Sequence, residues 1–414
     1  MPTRRKFLQS TGGAALALAG SASALAGLPQ SSEPPRQNPQ VSTPPLGADG
    51  SGLLTDPRYA EGARFRLREF TNRGIDAQQA EAIFRRLTSL DAEPWVAAWS
   101  PLGESAEKSG DDFARQGKDK EAAEAYSKAV AYFGIAKFPV INHPAKQAAY
   151  RKCIAAFQKA IRYWDPPAER VEIPFEGSRM IGYLRKPKSV ARPAVVIATG
   201  GVDVYKEERD NSDLINAGMA AFGIDMPGNG ECPLWYTPDA ERWYKAAIDY
   251  LQTRSDVDGE RIGFIGRSYG GYWGAKMAYV EAKRLKACVQ WGGPIHNTFQ
   301  EPWLRYLQTE KLYLWSLLDS MIYANHVKDY HELVRTAPAL SLEQQGWLEK
   351  SCAPMLAVNG DKDPWISIDD VYLLLKTGEP KSARVFAGAA HMGRGFPGGG
   401  GNLVMGWLKR QLNA

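Results

Sequence analysis

Histidine is scarce in this chain. Five occur in 414 residues, and no two stand at the spacing with which a helix or turn grips a metal ion. Metal-dependent chemistry is therefore not expected, and no cofactor is expected either. Cysteine is as sparse: Cys153, Cys232, Cys288 and Cys352 lie far apart, with no C-x-x-C pair. Four cysteines allow three pairings, among which the sequence does not choose. There is no run of Lys and Arg and no basic–aromatic stripe, so nucleic acid is not an expected partner. The longest apolar stretch, residues 12–26, is interrupted by Gly and Ser and is too short to cross a bilayer, which excludes stable membrane insertion. No repeat recurs in three copies. The small–aromatic alternation over 117–136 occurs once, so a solenoid is excluded as well.

What is present is the composition of an ordinary globular protein, 44% hydrophobic and 23% charged, with enough length for two domains. The net charge of +5 includes Arg4, Arg5 and Lys6, without which it falls to +2. Those three open a segment that resembles a bacterial twin-arginine export signal. A basic start is followed by Phe7-Leu8, a weakly apolar run, and Ala24-Leu25-Ala26 as an A-x-A cleavage site. The expectation is a periplasmic or secreted protein whose precursor engages the twin-arginine export machinery. Such precursors fold before export in a reducing cytosol, so the four cysteines are expected as buried free thiols.

Residues 1–26 are thus expected as signal and 27–56, rich in Pro, Ser, Gly and Gln, as a flexible linker. Residues 57–168 carry helical stripes without strands and are expected as a helical cap domain. Asp76 with Gln79 suggests a capping box ahead of Ala80, Ile83, Leu87 and Leu90. Further stripes run through Ala122, Tyr126, Ala129, Phe133 and Ala136, and through Tyr150, Cys153, Phe157, Ile161 and Trp164. From 169 to 414, strands alternate with helices, which predicts a mostly parallel sheet in an α/β fold. Expected strands cover 171–175, 180–186, 194–198, 220–225, 261–265, 287–291, 355–359 and 383–386. Residues 294–354 form a helical insertion dense in aromatics, read both as sub-domain core and as a lid over a pocket. Trp303, Tyr306 and Trp315 are its candidate substrate-binding side chains.

The chemistry gathers at strand ends. Gly266-Arg267-Ser268-Tyr269-Gly270 sits between an apolar strand and a helical stretch, the context that makes G-x-S-x-G a nucleophile elbow. Ser268, Asp363 and His391 follow three different strands in the chain order Ser, Asp, His, the order of α/β-hydrolases. In such a triad the serine attacks a carbonyl, the histidine moves the proton and the aspartate holds the imidazole. Asp361 and Asp363 compete for the last role, and the G-x-x-D spacing favours Asp363. Oxyanion donors are expected from the backbone of Tyr269 and of Gly201 or Val202, where the Gly200-Gly201 pair permits close approach.

Gly200-Gly201-Val202-Asp203, Asp225-Met226-Pro227-Gly228-Asn229-Gly230, Gly266-Arg267-Ser268-Tyr269-Gly270-Gly271 and Gly360-Asp361-Lys362-Asp363-Pro364 stand in register along one chain. Preceded by a helical domain, they resemble the FrsA-like α/β-hydrolases over about residues 60–414. That group includes fungal yellowish-green pigment polyketide hydrolases and 2,6-dihydroxypseudooxynicotine hydrolase. The resemblance implies Ser268, Asp363 and His391 as the triad. A relative in nicotine breakdown also uses a glutamate beyond the elbow, for which Glu301 is the nearest candidate here. The export signal departs from these relatives. The family's chemistry implies a small-molecule substrate, first an aromatic or polyketide-like ketone cleaved at a C–C bond, and next an ester cleaved by a plain carboxylesterase. An acylaminoacyl or dipeptidyl peptidase is a third reading, which the helical N-terminal domain disfavours because those enzymes usually carry a β-propeller. A binding protein with a relic hydrolase domain is the non-enzyme reading, and a homodimer is an allowed state.

Overall fold

The computed structural model describes residues 52–414. The expected export signal and the linker through residue 51 lie outside the described residues. The expected linker end at 56 comes too late, because Leu53 and Leu54 are buried. The Leu53 N–H also donates to the Leu87 carbonyl at 3.1 Å, tying the turn at 53–55 to the end of a helix.

Five helices open the fold: α1 (Ala60–Thr71), α2 (Ala77–Arg86), α3 (Ala92–Arg115), α4 (Asp119–Ala136) and α5 (Pro144–Tyr163). Asp76 starts α2 by accepting the Gln79 N–H at 2.8 Å. The Gln79 side chain does not return the bond; it accepts from the Tyr132 hydroxyl at 3.0 Å, so the cap is a single bond rather than a box. The predicted stripe on α4 is buried throughout, as are Tyr150, Cys153, Phe157 and Ile161 on α5. Phe70, Phe84, Trp95 and Trp99 pack edge-on or tilted with ring centroids 5.6 to 6.3 Å apart, forming the aromatic centre of this layer.

The sheet follows: β1 (Ala168–Phe175), β2 (Ser178–Arg185), β3 (Ala194–Thr199), β4 (Ala220–Ile224), β5 (Asp258–Arg267), β6 (Leu285–Trp291), β7 (Met355–Gly360) and β8 (Lys381–Phe386). Their spatial order is β1-β2-β4-β3-β5-β6-β7-β8. β1 and β2 pair antiparallel with each other, β2 pairs antiparallel with β4, and every other pairing is parallel. β3, β4 and β7 are buried at every position, as strands covered on both faces must be, whereas the edge strands β1 and β8 alternate. Around the sheet lie α6 (Ser212–Asn216), α7 (Arg242–Thr253) and α8 (Gly271–Val280). The insertion between β6 and β7 carries α9 (Glu301–Leu307), α10 (Leu317–Asn325) and α11 (Tyr330–Thr336). α12 (Asp369–Lys376) and α13 (Gly401–Leu412) close the chain.

The helical layer packs on both the insertion and the sheet. Trp95 meets Trp315 edge-on at 4.6 Å. Lys137 and Tyr150 reach the turn after β3: Lys137 Nζ lies 2.6 Å from Glu208 Oε1, and the Tyr150 hydroxyl donates to Glu207 Oε2 at 2.9 Å. The four cysteines are free and buried.

Candidate active site

Ser268 sits where β5 turns into α8, with φ of +56°. That left-handed conformation is costly for a residue with a side chain, and it persists because the neighbourhood leaves no alternative. A Cβ on Gly266 would stand 2.1 Å from the Gly270 carbonyl oxygen, so the two arms of the turn can close this tightly only without a side chain there. The turn thrusts the serine hydroxyl beyond the carboxyl end of the strand.

Two other strand ends meet it. His391, following β8, is buried, and its Nε2 lies 2.9 Å from Ser268 Oγ. Its Nδ1 lies 2.6 Å from Asp363 Oδ2. Asp363, after β7, is fixed on its other side: Oδ1 accepts the N–H groups of Trp365 at 2.8 Å and Ile366 at 3.1 Å. Asn359, at the end of β7, donates to Asp363 Oδ2 at 2.8 Å and accepts the Met392 N–H at 2.8 Å. The asparagine therefore ties the acid's strand to the histidine's turn. Asp361 faces elsewhere and accepts the Gly388 N–H at 2.7 Å, bracing the turn that precedes His391.

The loop after β3 forms the opposite wall. A Cβ on Gly201 would approach Ser268 Cβ to 2.8 Å and Oγ to 3.0 Å. Asn229 donates to the Gly201 carbonyl at 2.7 Å. Across a trans peptide the next N–H points the opposite way, so this bond turns the Val202 N–H away from Asn229. Among the described residues no acceptor takes the amide hydrogen of Gly201 or Val202.

Gly201, Val202, Ser268, Tyr269 and His391 line a cleft that opens to solvent. Its remaining walls come from α1 (Arg66, Glu69, Arg73), from the insertion (Tyr313, Leu317, Met321), and from Trp365 and Arg394. Trp365 stacks edge-on against His391 at 5.1 Å. Asp203 accepts the Tyr313 hydroxyl at 3.0 Å. Burial alone would raise the Asp203 carboxyl, but Arg66, Arg73 and Lys137 outweigh it and hold the group below its ordinary range.

The expected pocket side chains of the insertion lie elsewhere. Glu301 is exposed and pairs with Arg305 one helical turn away, so the carboxylate is occupied at the surface. Trp303 donates to the Trp365 carbonyl at 2.9 Å, bracing the cleft from behind. Tyr306 is exposed, and Trp315 is spent on the contact with Trp95. Of the insertion's rings, Trp315 and Tyr313 pack on Trp95 and Phe138 of the helical layer, and Tyr313 also reaches the cleft. Arg66, Arg394 and Trp365 drew no notice in the sequence. Asn229 and Asp203 were visible only as members of the two loop motifs.

A mostly parallel sheet of eight strands, flanked by helices, with a serine on a strained strand–helix turn, is the architecture of an α/β-hydrolase. The family model described as Esterase FrsA-like matches residues 66–387, and the chain belongs to that family. The Esterase FrsA of Vibrio cholerae is 28% identical over 340 residues, which span 75% of this chain and 80% of the relative. The 2,6-dihydropseudooxynicotine hydrolase of Paenarthrobacter nicotinovorans is 32% identical over 203 residues, 48% of this chain and 55% of the relative. A solved structure of 2,6-dihydroxy-pseudo-oxynicotine hydrolase shares the fold with a TM-score of 0.70 at 24% identity, covering 84% of this chain and 95% of the other. The protein is thus a hydrolase of the α/β class.

Proposed function

We propose that the chain is a serine hydrolase that transfers an acyl group to water through Ser268, His391 and Asp363. The observation that carries this reading is the unbroken hydrogen-bonded line from Asp363 Oδ2 through both imidazole nitrogens to Ser268 Oγ, at 2.6 and 2.9 Å. In the reaction, Ser268 Oγ attacks the substrate carbonyl and its proton passes to His391 Nε2. Asp363 stabilises the imidazolium formed. The N–H groups of Tyr269 and Val202 receive the oxyanion; each such donor is worth about 3 kcal/mol of barrier. Collapse expels the leaving group, which takes the proton from His391. Water, deprotonated by His391, then releases the acid and restores the serine.

The bond we assign first is a C–C bond next to a ketone, whose leaving carbanion must be stabilised as an enolate or by an electron-rich ring. That reading comes from the family resemblance; the Paenarthrobacter relative is named for hydrolysis of a pseudooxynicotine. An ester is the second reading, supported by the family description and by the name of the Vibrio relative. A fluorophosphonate probe tests the class: it should label the wild type and not Ser268→Ala, whose turnover should fall by several orders of magnitude. Labelling of the variant, or retention of most activity, overturns the assignment. Side-by-side rates on aryl esters and aryl 1,3-diketones then separate the two bond types.

A further inference from the structure

The cleft that holds Ser268 is lined by four arginines, Arg66, Arg73, Arg209 and Arg394, against two carboxylates, Glu69 and Asp203. Two of the arginines are held by short ion pairs. Arg73 pairs with Glu208 at 2.7 Å and Arg394 with Glu69 at 2.9 Å. The other two are not. Arg66 is buried, with a side chain 4% exposed; its Nε donates to the Tyr313 carbonyl at 3.0 Å, and Asp203 approaches its Nη1 only to 3.7 Å. Its Nη2 is buried with no partner. Arg209 makes no hydrogen bond or ion pair among the described residues, and its Nε is likewise buried without a partner.

A buried guanidinium N–H without a protein partner is costly, and a water or a ligand must complete it. The Arg66 guanidinium is also held in place before any ligand arrives. It lies 4.2 Å from the Tyr313 ring centre and 4.7 Å from that of Phe138. It stands 5.6 Å from Trp365, whose ring is in turn 5.1 Å from that of His391. One indole therefore separates the cation from the proton-transfer residue. Burial, then the like charges of Arg267 and Arg73, draw the Arg209 guanidinium down to about 9, still protonated at neutral pH.

Given Ser268 as nucleophile, we propose that the substrate carries a carboxylate, which Arg66 and Arg209 bind while the serine attacks a carbonyl about one aromatic ring away. A planar guanidinium matches a carboxylate edge to edge, which selects this anion over a single point acceptor.

Matched ester pairs test this. On the acyl side the pair is mono-4-nitrophenyl glutarate and 4-nitrophenyl butyrate; on the leaving-group side, 4-carboxyphenyl acetate and 4-carbamoylphenyl acetate. The expected result is a kcat/KM ratio of acidic over neutral ester of about tenfold or more in at least one pair, falling as salt is raised. The ratio should drop toward one in Arg209→Gln and in Arg66→Lys. Arg209 is only half-buried, so its variant keeps the test open if Arg66 proves necessary for folding. If no ester turns over but Ser268 is still labelled by fluorophosphonate, protection from labelling decides: 4-hydroxybenzoate should protect and 4-hydroxybenzamide should not. Equal ratios in both pairs, unaltered by the arginine variants, or equal protection by acid and amide, overturn the carboxylate proposal and leave the serine assignment standing. Absence of labelling overturns the serine assignment instead.

Discussion

At the scale of single residues, the position to test is Gly201. It touches the serine from the opposite loop, so a methyl group there must displace either the hydroxyl or the loop that presents the Val202 N–H. Gly201→Ala should cut kcat by about two orders of magnitude, the usual cost of spoiling one oxyanion donor. The melting temperature should move by only a few degrees, because the clash is confined to the cleft. Parallel kinetics and thermal melts check this; an unchanged kcat would remove Gly201 and Val202 from the proposed machinery. Ser268 and His391 stood out in the sequence because each follows its own strand in a characteristic order, whereas Asp363 had to be preferred to Asp361 on the G-x-x-D spacing. The residues that aim them did not stand out. Asn359 looks like any strand-end polar residue, yet it joins the acid to the turn carrying the histidine. Arg66 sits in an unremarkable helix more than two hundred residues from the serine, and only tertiary packing brings it to the cleft.

At the scale of elements, the turn Lys206–Glu208 carries the charges that connect the sheet to the helical layer. Lys206 Nζ, with no exposed side-chain surface, lies 2.8 Å from Glu207, 2.7 Å from Asp225 and 2.7 Å from Glu231. Burial pushes the Glu207 carboxyl up to about 7; Lys206 opposes this, while Asp225 and Glu231 add to it. The unfolded chain releases that proton near the ordinary value of 4.5. Between the two values the folded form binds more protons than the unfolded one, so raising the pH erodes stability there. Below about 4.5 the contribution is complete, and above about 7 it is lost. Glu207→Gln should remove that slope: melting curves from pH 5 to 8 should show the variant gaining a few degrees on the wild type as pH rises. A constant offset across the range would show that Glu207 is ionised throughout. The strands around this turn were all foreseen from their apolar runs, whereas α6 and α12 were not, being only five and eight residues long. Short helices hold too few turns to declare a period.

At the scale of the whole molecule, one hydrophobic core crosses the boundary that composition suggested. Its members include Phe70, Trp95 and Phe138 from the helical layer, Leu317 from the insertion, and Phe222 and Phe264 from the sheet. Residues 168–414 without the helical layer would expose that face together with Tyr313 and Trp315. We expect the truncated chain to be insoluble, and residues 52–414 to unfold in a single calorimetric transition. Two well-separated transitions, or a soluble and active 168–414 fragment, would contradict this. The change from helices to strands at about residue 168 was legible from the change of period. Cohesion across it was not, because the aromatics of 294–354 read equally well as roof or as glue.

The guanidinium of Arg66 comes from the first helix, while the nucleophile and its proton carrier come from the sheet. Part of the proposed preference is therefore written apart from the reaction centre, while Arg209 supplies the rest from the loop after β3. Exchanging residues 52–167 between family members, together with the side chains they pack against, ought to move the Arg66 share of ligand taste without rebuilding the reaction centre.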